Sequence, residues 1–106
     1  REHLVCLYLD TRLQLVVKET VAIGSINQCA VKPRDIFSVI KYHPVNCIIL
    51  AHNHPSGVAT PSSEDLVFTR QLVEAGHLLG VEVLDHVIVG KETHYSCREH
   101  GVLGLL

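Results

Sequence analysis

The chain has 106 residues, a length that suits one domain. Hydrophobic residues make up 47% of the chain and charged residues 19%, a balance that favours a folded core over disorder. The net charge is −2 with histidine neutral, and 5% of the residues are aromatic. This composition argues against direct nucleic-acid binding, which needs positive charge and stacking side chains. Because no apolar run is long enough to span a bilayer and no signal-peptide pattern is present, we expect no membrane partner.

Four cysteines are spread along the chain, and no two have the spacing of a zinc ribbon or a redox motif. They are Cys6, Cys29, Cys47 and Cys97. Cys6 and Cys47 lie within apolar runs, where a free thiol packs as a small hydrophobic side chain. Free thiols fit a reducing compartment, so we expect a cytoplasmic protein without disulfides.

The first half of the chain predicts two strands, a short helix and a third strand. Leu4–Val17 is typical of a hairpin, with an apolar first strand and an alternating second strand that resumes as far as position 24. Pro33 suits the first turn of a helix, and Pro44 ends it. Val45–Ala51 predicts a buried strand, and the prolines and glycine that follow predict a loop over residues 53–61.

The second half predicts one long helix between strands. Ser62 or Ser63 caps this helix, which runs to Gly80. Val81–Val89 predicts a further apolar strand, and Thr93–Cys97 an edge strand. The order β-β-α-β-α-β-β predicts an α/β domain in which helices cover a mixed sheet.

The residues that indicate chemistry lie at the junction between the third strand and the long helix. His52 and His54 are two apart, so in extended backbone both rings project from one face. The loop can fold back so that Asp65, in the first helical turn, joins them. Two imidazole nitrogens and one carboxylate oxygen are the ligand set of a catalytic zinc site with its fourth position open. The same set also suits iron(II).

A simpler interpretation of these residues remains open. Ser62-x-x-Asp65 is also a capping box, which a helix start uses with or without a metal. His52 and His54 taken alone fit a polar strand end. Shuffled chains of this composition would carry the combined spacing on the order of once in a thousand, which favours the metal site.

The segment HNHPSG…PSSEDLVFTRQL resembles the JAMM motif of MPN+ metallopeptidases and, within that superfamily, the RadC family. REHLVCLYLD, VKPRDIF and LDHVIVG agree with the same family, so the resemblance covers essentially the whole chain. It implies an MPN (JAMM)-like, cytidine-deaminase-like α/β fold with a mixed β-sheet flanked by helices. RadC proteins are usually longer and carry an N-terminal helix-hairpin-helix region. We therefore expect residues 1–106 to be a single MPN domain from a longer protein.

The resemblance also implies the roles of the motif residues. His52, His54 and Asp65 would be the ligands of one zinc ion per chain. Ser62 would donate a hydrogen bond to the oxyanion of the reaction or to the water on the metal. The implied activity is that of a zinc-dependent metallohydrolase acting on an amide or isopeptide bond, with an unidentified peptide or protein as substrate.

The family pattern further requires an upstream glutamate as general base. Glu2, immediately before the first apolar strand, is the better match, and Glu19 is the alternative. The alternative function is a weakly catalytic or non-catalytic module in DNA repair that acts through partners, because RadC proteins have carried that label.

Other polar residues have weaker assignments. Asp85 and His86 interrupt an apolar strand, where His86 is either an outer clamp on the metal ligands or a hydrogen-bonded core histidine. Asn53 points away from its two histidine neighbours and is assigned loop support, and Ser56 is assigned to a turn. The remaining histidines lack ligand spacing and are expected at the surface or with satisfied partners: His3, His43, His77, His94 and His100.

Overall fold

Strands and helices form most of the described chain. The computed structural model describes residues 1–24 and 31–105. In chain order its elements are β1 (Glu2–Leu9), β2 (Leu15–Gly24), α1 (Pro33–Phe37), a 3-10 turn (Ser38–Lys41), β3 (Cys47–Asn53), α2 (Ser63–Leu79), β4 (Glu82–Val89), β5 (His94–Ser96) and a 3-10 turn (Leu103–Leu105). This order confirms the predicted succession of strands and helices.

The five strands form one mixed sheet in the order β2-β1-β3-β4-β5. β1 is antiparallel to both β2 and β3, and β5 is antiparallel to β4. β3 and β4 are parallel, because α2 carries the chain from the end of β3 back to the start of β4. The α/β class with a mixed sheet, as predicted from the sequence, is confirmed.

One face of the sheet carries the hydrophobic core. Leu4 and Tyr8 of β1 both point into it and are fully buried, as the two-residue period of a strand requires. α2 covers this face with Phe68 and Leu72, which lie four residues apart on one side of the helix. The Tyr8 hydroxyl donates a hydrogen bond of 2.6 Å to the carbonyl of Ile36, which ties α1 to the sheet.

α2 is the longest helix, with 17 residues, and both of its ends are capped. Ser62 is the N-cap, and Gly80 ends the helix in the left-handed conformation at φ 72°. No helix within residues 1–24 and 31–105 combines the length and the hydropathy needed to cross a membrane.

Several element boundaries differ from the sequence predictions. The first helix is α-helical only over Pro33–Phe37 and then tightens to a 3-10 turn, in which the amide of Tyr42 donates to the carbonyl of Val39 at 3.1 Å. The β-branched side chains in this turn weaken the α-helix. β4 begins one residue later than predicted, and β5 is limited to His94–Ser96.

β3 is displaced by two residues relative to the prediction, so the expected loop over 53–61 starts one residue later. The strand continues through Asn53 because it is paired on both sides. His52 pairs with Leu4 of β1, and Asn53 pairs with Val89 of β4. Such pairing depends on distant segments and has no local sequence signal.

The described cysteines agree with the prediction of free thiols. Cys6, Cys47 and Cys97 are buried and unpaired. Burial raises the pKa of Cys6 to about 12 and that of Cys97 to about 11, so both thiols stay protonated at neutral pH. Cys29 lies outside the described residues.

Candidate metal centre

The site lies at the carboxyl end of the parallel strands β3 and β4, where the chain turns into α2. In α/β sheets this edge is the usual place for a ligand, because loops and helix N-termini converge there. β3 brings His52 to the core face, and His54 follows two residues later. Asp65 stands in the first turn of α2, at the start of the buried stripe that Phe68 and Leu72 continue. The fold therefore brings together the three ligands predicted from the sequence.

The ligand atoms of the three side chains face one another. The Nε2 atoms of His52 and His54 are 2.9 Å apart. His52 Nε2 lies 3.3 Å from Asp65 Oδ1, and His54 Nε2 lies 3.2 Å from Asp65 Oδ2. His52 and Asp65 are each 3% exposed, while His54 is partly open to solvent. The cluster is buried on one side and accessible on the other.

This geometry fits a bound cation. In a tetrahedral zinc site with bonds of about 2.0 Å, neighbouring ligand atoms are about 3.3 Å apart, close to the separations found here. The ring of His54 has its Nδ1–H directed at the carbonyl oxygen of Val58, 2.9 Å away, so its Nε2 lone pair faces the cluster. Two imidazole nitrogens and a carboxylate oxygen at these separations can share one cation between them. His52, His54 and Asp65 can therefore hold a metal ion.

The start of α2 is a complete capping box. The backbone amide of Asp65 donates to Ser62 Oγ at 3.1 Å, and the amide of Ser62 donates to Asp65 Oδ2 at 2.8 Å. The capping interpretation is therefore correct, and it is compatible with the metal interpretation because the same carboxylate faces both histidines. The positive end of the helix dipole also favours a carboxylate at this position.

The predicted pair Asp85 and His86 divides between the two faces of the sheet. His86 is fully buried and its Nε2 lies 2.8 Å from His52 Nδ1, so it is both a core histidine and a contact of a candidate ligand. Burial, with a contribution from His52, lowers the pKa of His86 to about 4. Asp85 points the other way, and its Oδ2 accepts a hydrogen bond of 2.5 Å from the hydroxyl of Ser96.

Thr69 completes this buried network and was not among the residues predicted from the sequence. Its Oγ1 lies 2.5 Å from His86 Nδ1 and donates to the carbonyl oxygen of Asp65 at 2.7 Å. Thr69 is fully buried. A usable signal was present in the sequence, because Thr69 is four residues after Asp65 and is a polar residue on the apolar stripe of α2.

The two glutamates predicted as candidates for the general base lie on different strands of the sheet. Glu2 is two residues before Leu4 in β1, and Leu4 pairs with His52, so Glu2 belongs to the same sheet face on the adjacent strand. Glu19 pairs with Cys6 on the outer strand β2. It is two strand spacings from β3 and two residues further down the sheet, which places its Cα on the order of 12 Å from that of His52.

Asn53 holds the start of β1. Its Oδ1 accepts a hydrogen bond of 2.6 Å from the amide of His3, and its Nδ2 donates to the carbonyl of Arg1 at 2.8 Å. These two bonds bracket Glu2 on either side. Asn53 is therefore the last residue of β3, where loop support was expected, and it extends the β1–β3 pairing beyond Leu4 with its side chain.

The loop after His54 is attached to the end of β4. The amide of His54 donates to the carbonyl of Val89 at 3.0 Å, and the amide of Lys91 donates to the carbonyl of Gly57 at 3.0 Å. A Cβ at Gly90 would lie 2.5 Å from the Gly57 oxygen, so glycine is needed at this approach. Ser56 Oγ accepts from the amide of Val58 at 3.3 Å, in agreement with its assignment to a turn.

The remaining histidines and the cavities lie apart from the cluster. His3, His43, His77, His94 and His100 are all exposed. A cavity of about 590 Å³ lies at the far end of α2, between Gly76 and the C-terminal residues. A groove of about 370 Å³ runs along the first turns of α2 and is lined by Ser63, Glu64 and Phe68 but by none of the three candidate ligands.

Fold and site together define the class of protein: an α/β domain with a candidate His-His-Asp metal centre at the start of a helix. Residues 1–102 match the model of the RadC-like JAB domain. The chain belongs to this family, as its resemblance to RadC proteins predicted.

The chain is similar to several curated proteins of the family. It is 47% identical over 103 residues to the UPF0758 protein YsxA of Bacillus subtilis, an alignment that covers 97% of this chain and 45% of that protein. It is 46% identical over 101 residues to a UPF0758 protein of Bacillus cereus (95% and 45% covered), and 44% over 103 residues to one of Desulforamulus reducens (97% and 45%). The chain thus spans a little under half the length of these relatives.

Proposed function

We propose that this domain is a zinc-dependent hydrolase of the JAMM type that cleaves a peptide or isopeptide bond in a protein substrate. The observation that carries the proposal is the convergence of His52, His54 and Asp65 within 4.8 Å of one another. Two neutral nitrogens and one carboxylate leave a fourth position open, which is the ligand set of catalytic rather than structural zinc sites. Membership of the RadC-like JAB family supports the same conclusion.

Each motif residue has a defined part in this proposal. His52, His54 and Asp65 hold one zinc ion. When bound, zinc supplies a Lewis acid that polarises a carbonyl and makes water acidic enough to attack near neutral pH. The carboxylate of Glu2 takes the proton from the attacking water and returns it to the leaving amine.

Ser62 can act as a hydrogen-bond donor while it caps α2. Its oxygen accepts the amide proton of Asp65, and that use leaves the hydroxyl proton available for a second partner. A donor at this place, beside the first turn of α2, suits the oxyanion that forms when water adds to a carbonyl. The cap bond holds the Ser62 side chain in one orientation, which is what such a donor requires.

The curated relatives are longer than this chain, which covers 45% of their length. We therefore assign to this domain only the hydrolytic centre and not the selection of the substrate. We also propose a cytoplasmic compartment, because Cys6, Cys47 and Cys97 are free thiols, which persist in reducing surroundings. Cell fractionation with an antibody to the full-length protein tests this, and enrichment in the secreted fraction would contradict it.

Metal content is the first test. Elemental analysis of the purified domain should find about one zinc per chain, as a single three-ligand site predicts. His52→Ala and Asp65→Ala should lose the ion, whereas the matched control His77→Ala, at an exposed histidine of α2, should retain it. Failure of the wild-type domain to take up zinc after supplementation would overturn the proposal.

Hydrolysis is the second test, made with a peptide and isopeptide substrate library on the zinc-loaded domain. Glu2→Gln should abolish cleavage and keep the metal, because Glu2 is not a ligand. Glu19→Gln is the matched control and should cleave like the wild type. Loss of cleavage in Glu19→Gln with activity retained in Glu2→Gln would reverse the assignment of the base.

A further inference from the structure

Two buried polar side chains lie behind His52, on the side away from the ligand cluster, and the proposed mechanism does not use them. His86 and Thr69 are both fully buried. They link His52 of β3 through β4 to α2, and the last bond of the series ends on the backbone of Asp65. The series therefore joins two of the candidate ligands by a path that avoids the metal.

The donor and the acceptor of each hydrogen bond can be assigned by starting at the Asp65 end of the series. The carbonyl oxygen of Asp65 can only accept, so the single hydroxyl proton of Thr69 points to it across 2.7 Å. Thr69 Oγ1 therefore accepts at its other contact, and the proton in that bond sits on His86 Nδ1.

The next hydrogen bond of the series joins His86 to the candidate ligand His52. A neutral His86 with its proton on Nδ1 has a lone pair on Nε2, which accepts from Nδ1–H of His52 across 2.8 Å. His52 then carries no proton on Nε2, and this nitrogen is the one that faces Asp65 and His54.

We propose that Thr69 and His86 are positioning residues that set the tautomer of His52 and keep its Nε2 free for a metal ion. Metal ligands of this type depend on the partner of their second ring nitrogen for orientation and basicity. In this domain the partner of His52 is His86. The hydroxyl of Thr69 orients His86 and is itself hydrogen-bonded to the backbone carbonyl of Asp65, another candidate ligand. This inference rests on the proposed function in one respect, which is that a metal ion binds to Nε2 of His52.

The tautomer can be measured directly in the metal-free protein. Two-dimensional ¹H–¹⁵N NMR of the imidazole rings at neutral pH distinguishes protonation at Nδ1 from protonation at Nε2. Wild type and Thr69→Ser, which keeps the hydroxyl, should show His52 protonated at Nδ1. Thr69→Val removes the acceptor of His86 Nδ1–H, so His86 should move its proton to Nε2 and force the proton of His52 to Nε2 as well.

Zinc affinity supplies a second readout that does not depend on hydrolysis. In competition with a chromophoric chelator, Thr69→Val should bind zinc about 10- to 100-fold more weakly than the wild type, the usual effect of losing an outer partner of a ligand. Thr69→Ser should restore the wild-type affinity. An unchanged His52 tautomer together with unchanged zinc affinity in Thr69→Val would overturn the inference.

Two controls separate this role from a general loss of stability. Leu72→Ala removes buried packing one turn along the same face of α2 and should lower the unfolding temperature without changing the tautomer of His52. If Thr69→Val does not fold, the inference can be tested instead by comparing the zinc affinities of His86→Gln and His86→Leu. Gln keeps an acceptor oxygen for His52 and should retain zinc affinity, while Leu should lose it, and equal affinities would contradict the inference. The tautomer result stands even if the domain cleaves no substrate, so the two proposals fail separately.

Discussion

The first turn of α2 combines a helix cap with a candidate metal ligand, and the two roles can be separated by substitution. Ser62→Ala removes the acceptor of the Asp65 amide and leaves all three ligand side chains in place. Loss of such a cap costs about 1 kcal/mol of unfolding free energy, within a range of about 0.5–2. For a domain of about 100 residues this corresponds to a decrease in Tm of about 4–8 °C per kcal/mol.

Asp65→Asn should have the opposite profile. In the wild type the backbone amide of Ser62 donates to the Asp65 carboxylate at 2.8 Å. The amide oxygen of asparagine can accept the same hydrogen bond, so most of the cap is kept. Removal of the negative charge from the helix N-terminus costs about 0.3–1 kcal/mol. Zinc affinity should fall by more than about 100-fold, because this change removes the anionic ligand itself rather than an outer partner of a ligand.

The assay measures both properties on the same samples. Thermal unfolding is followed by circular dichroism in the presence of a chelator, and zinc affinity is measured by competition with a chromophoric chelator. Ser62→Ala should be less stable than the wild type but bind zinc with near wild-type affinity, whereas Asp65→Asn should be nearly as stable as the wild type and bind zinc only weakly. If Ser62→Ala lost as much zinc affinity as Asp65→Asn, the cap and the ligand set would not be independent, and the reasoning would be refuted.

Three further predictions concern positions around the site and the core. Asn53→Ala should accelerate hydrogen exchange of the His3 amide without weakening zinc binding, because Asn53 bonds to β1 and points away from the ligands; unchanged exchange measured by NMR would contradict this. Gly76→Ala should lower the unfolding free energy by about 1–3 kcal/mol in urea titration, since a Cβ there would clash with the Val81 carbonyl oxygen. Equal stability of the variant and the wild type would contradict this. Burial raises the pKa of Cys97 from 9.0 to about 11. The protonated thiol therefore contributes fully to stability below pH 9, and this contribution is lost as the pH rises toward 11. Alkylation of Cys97 at pH 8, followed by mass spectrometry, should be slower in the native than in the denatured chain.

Much of the fold follows from local sequence. Apolar periodicity predicted the order of the elements, because strands and helices bury side chains with periods of 2 and 3.6 residues. Boundaries were less well predicted. β3 reaches Asn53 only because β1 and β4 pair with it on both sides, and the helix begun at Pro33 shortens where β-branched residues follow.

The candidate ligands were also accessible from sequence, since local geometry relates all three. His52 and His54 share a strand face by the period of two, and the capping box places Asp65 in the first turn of the next helix. The roles of the more distant residues depend on strand register and helix packing, which no short segment encodes. Only the tertiary structure places Glu2 on the strand beside His52 and Glu19 on the outer strand. Only the packing of α2 against β4 brings Thr69 to His86 and His86 to His52.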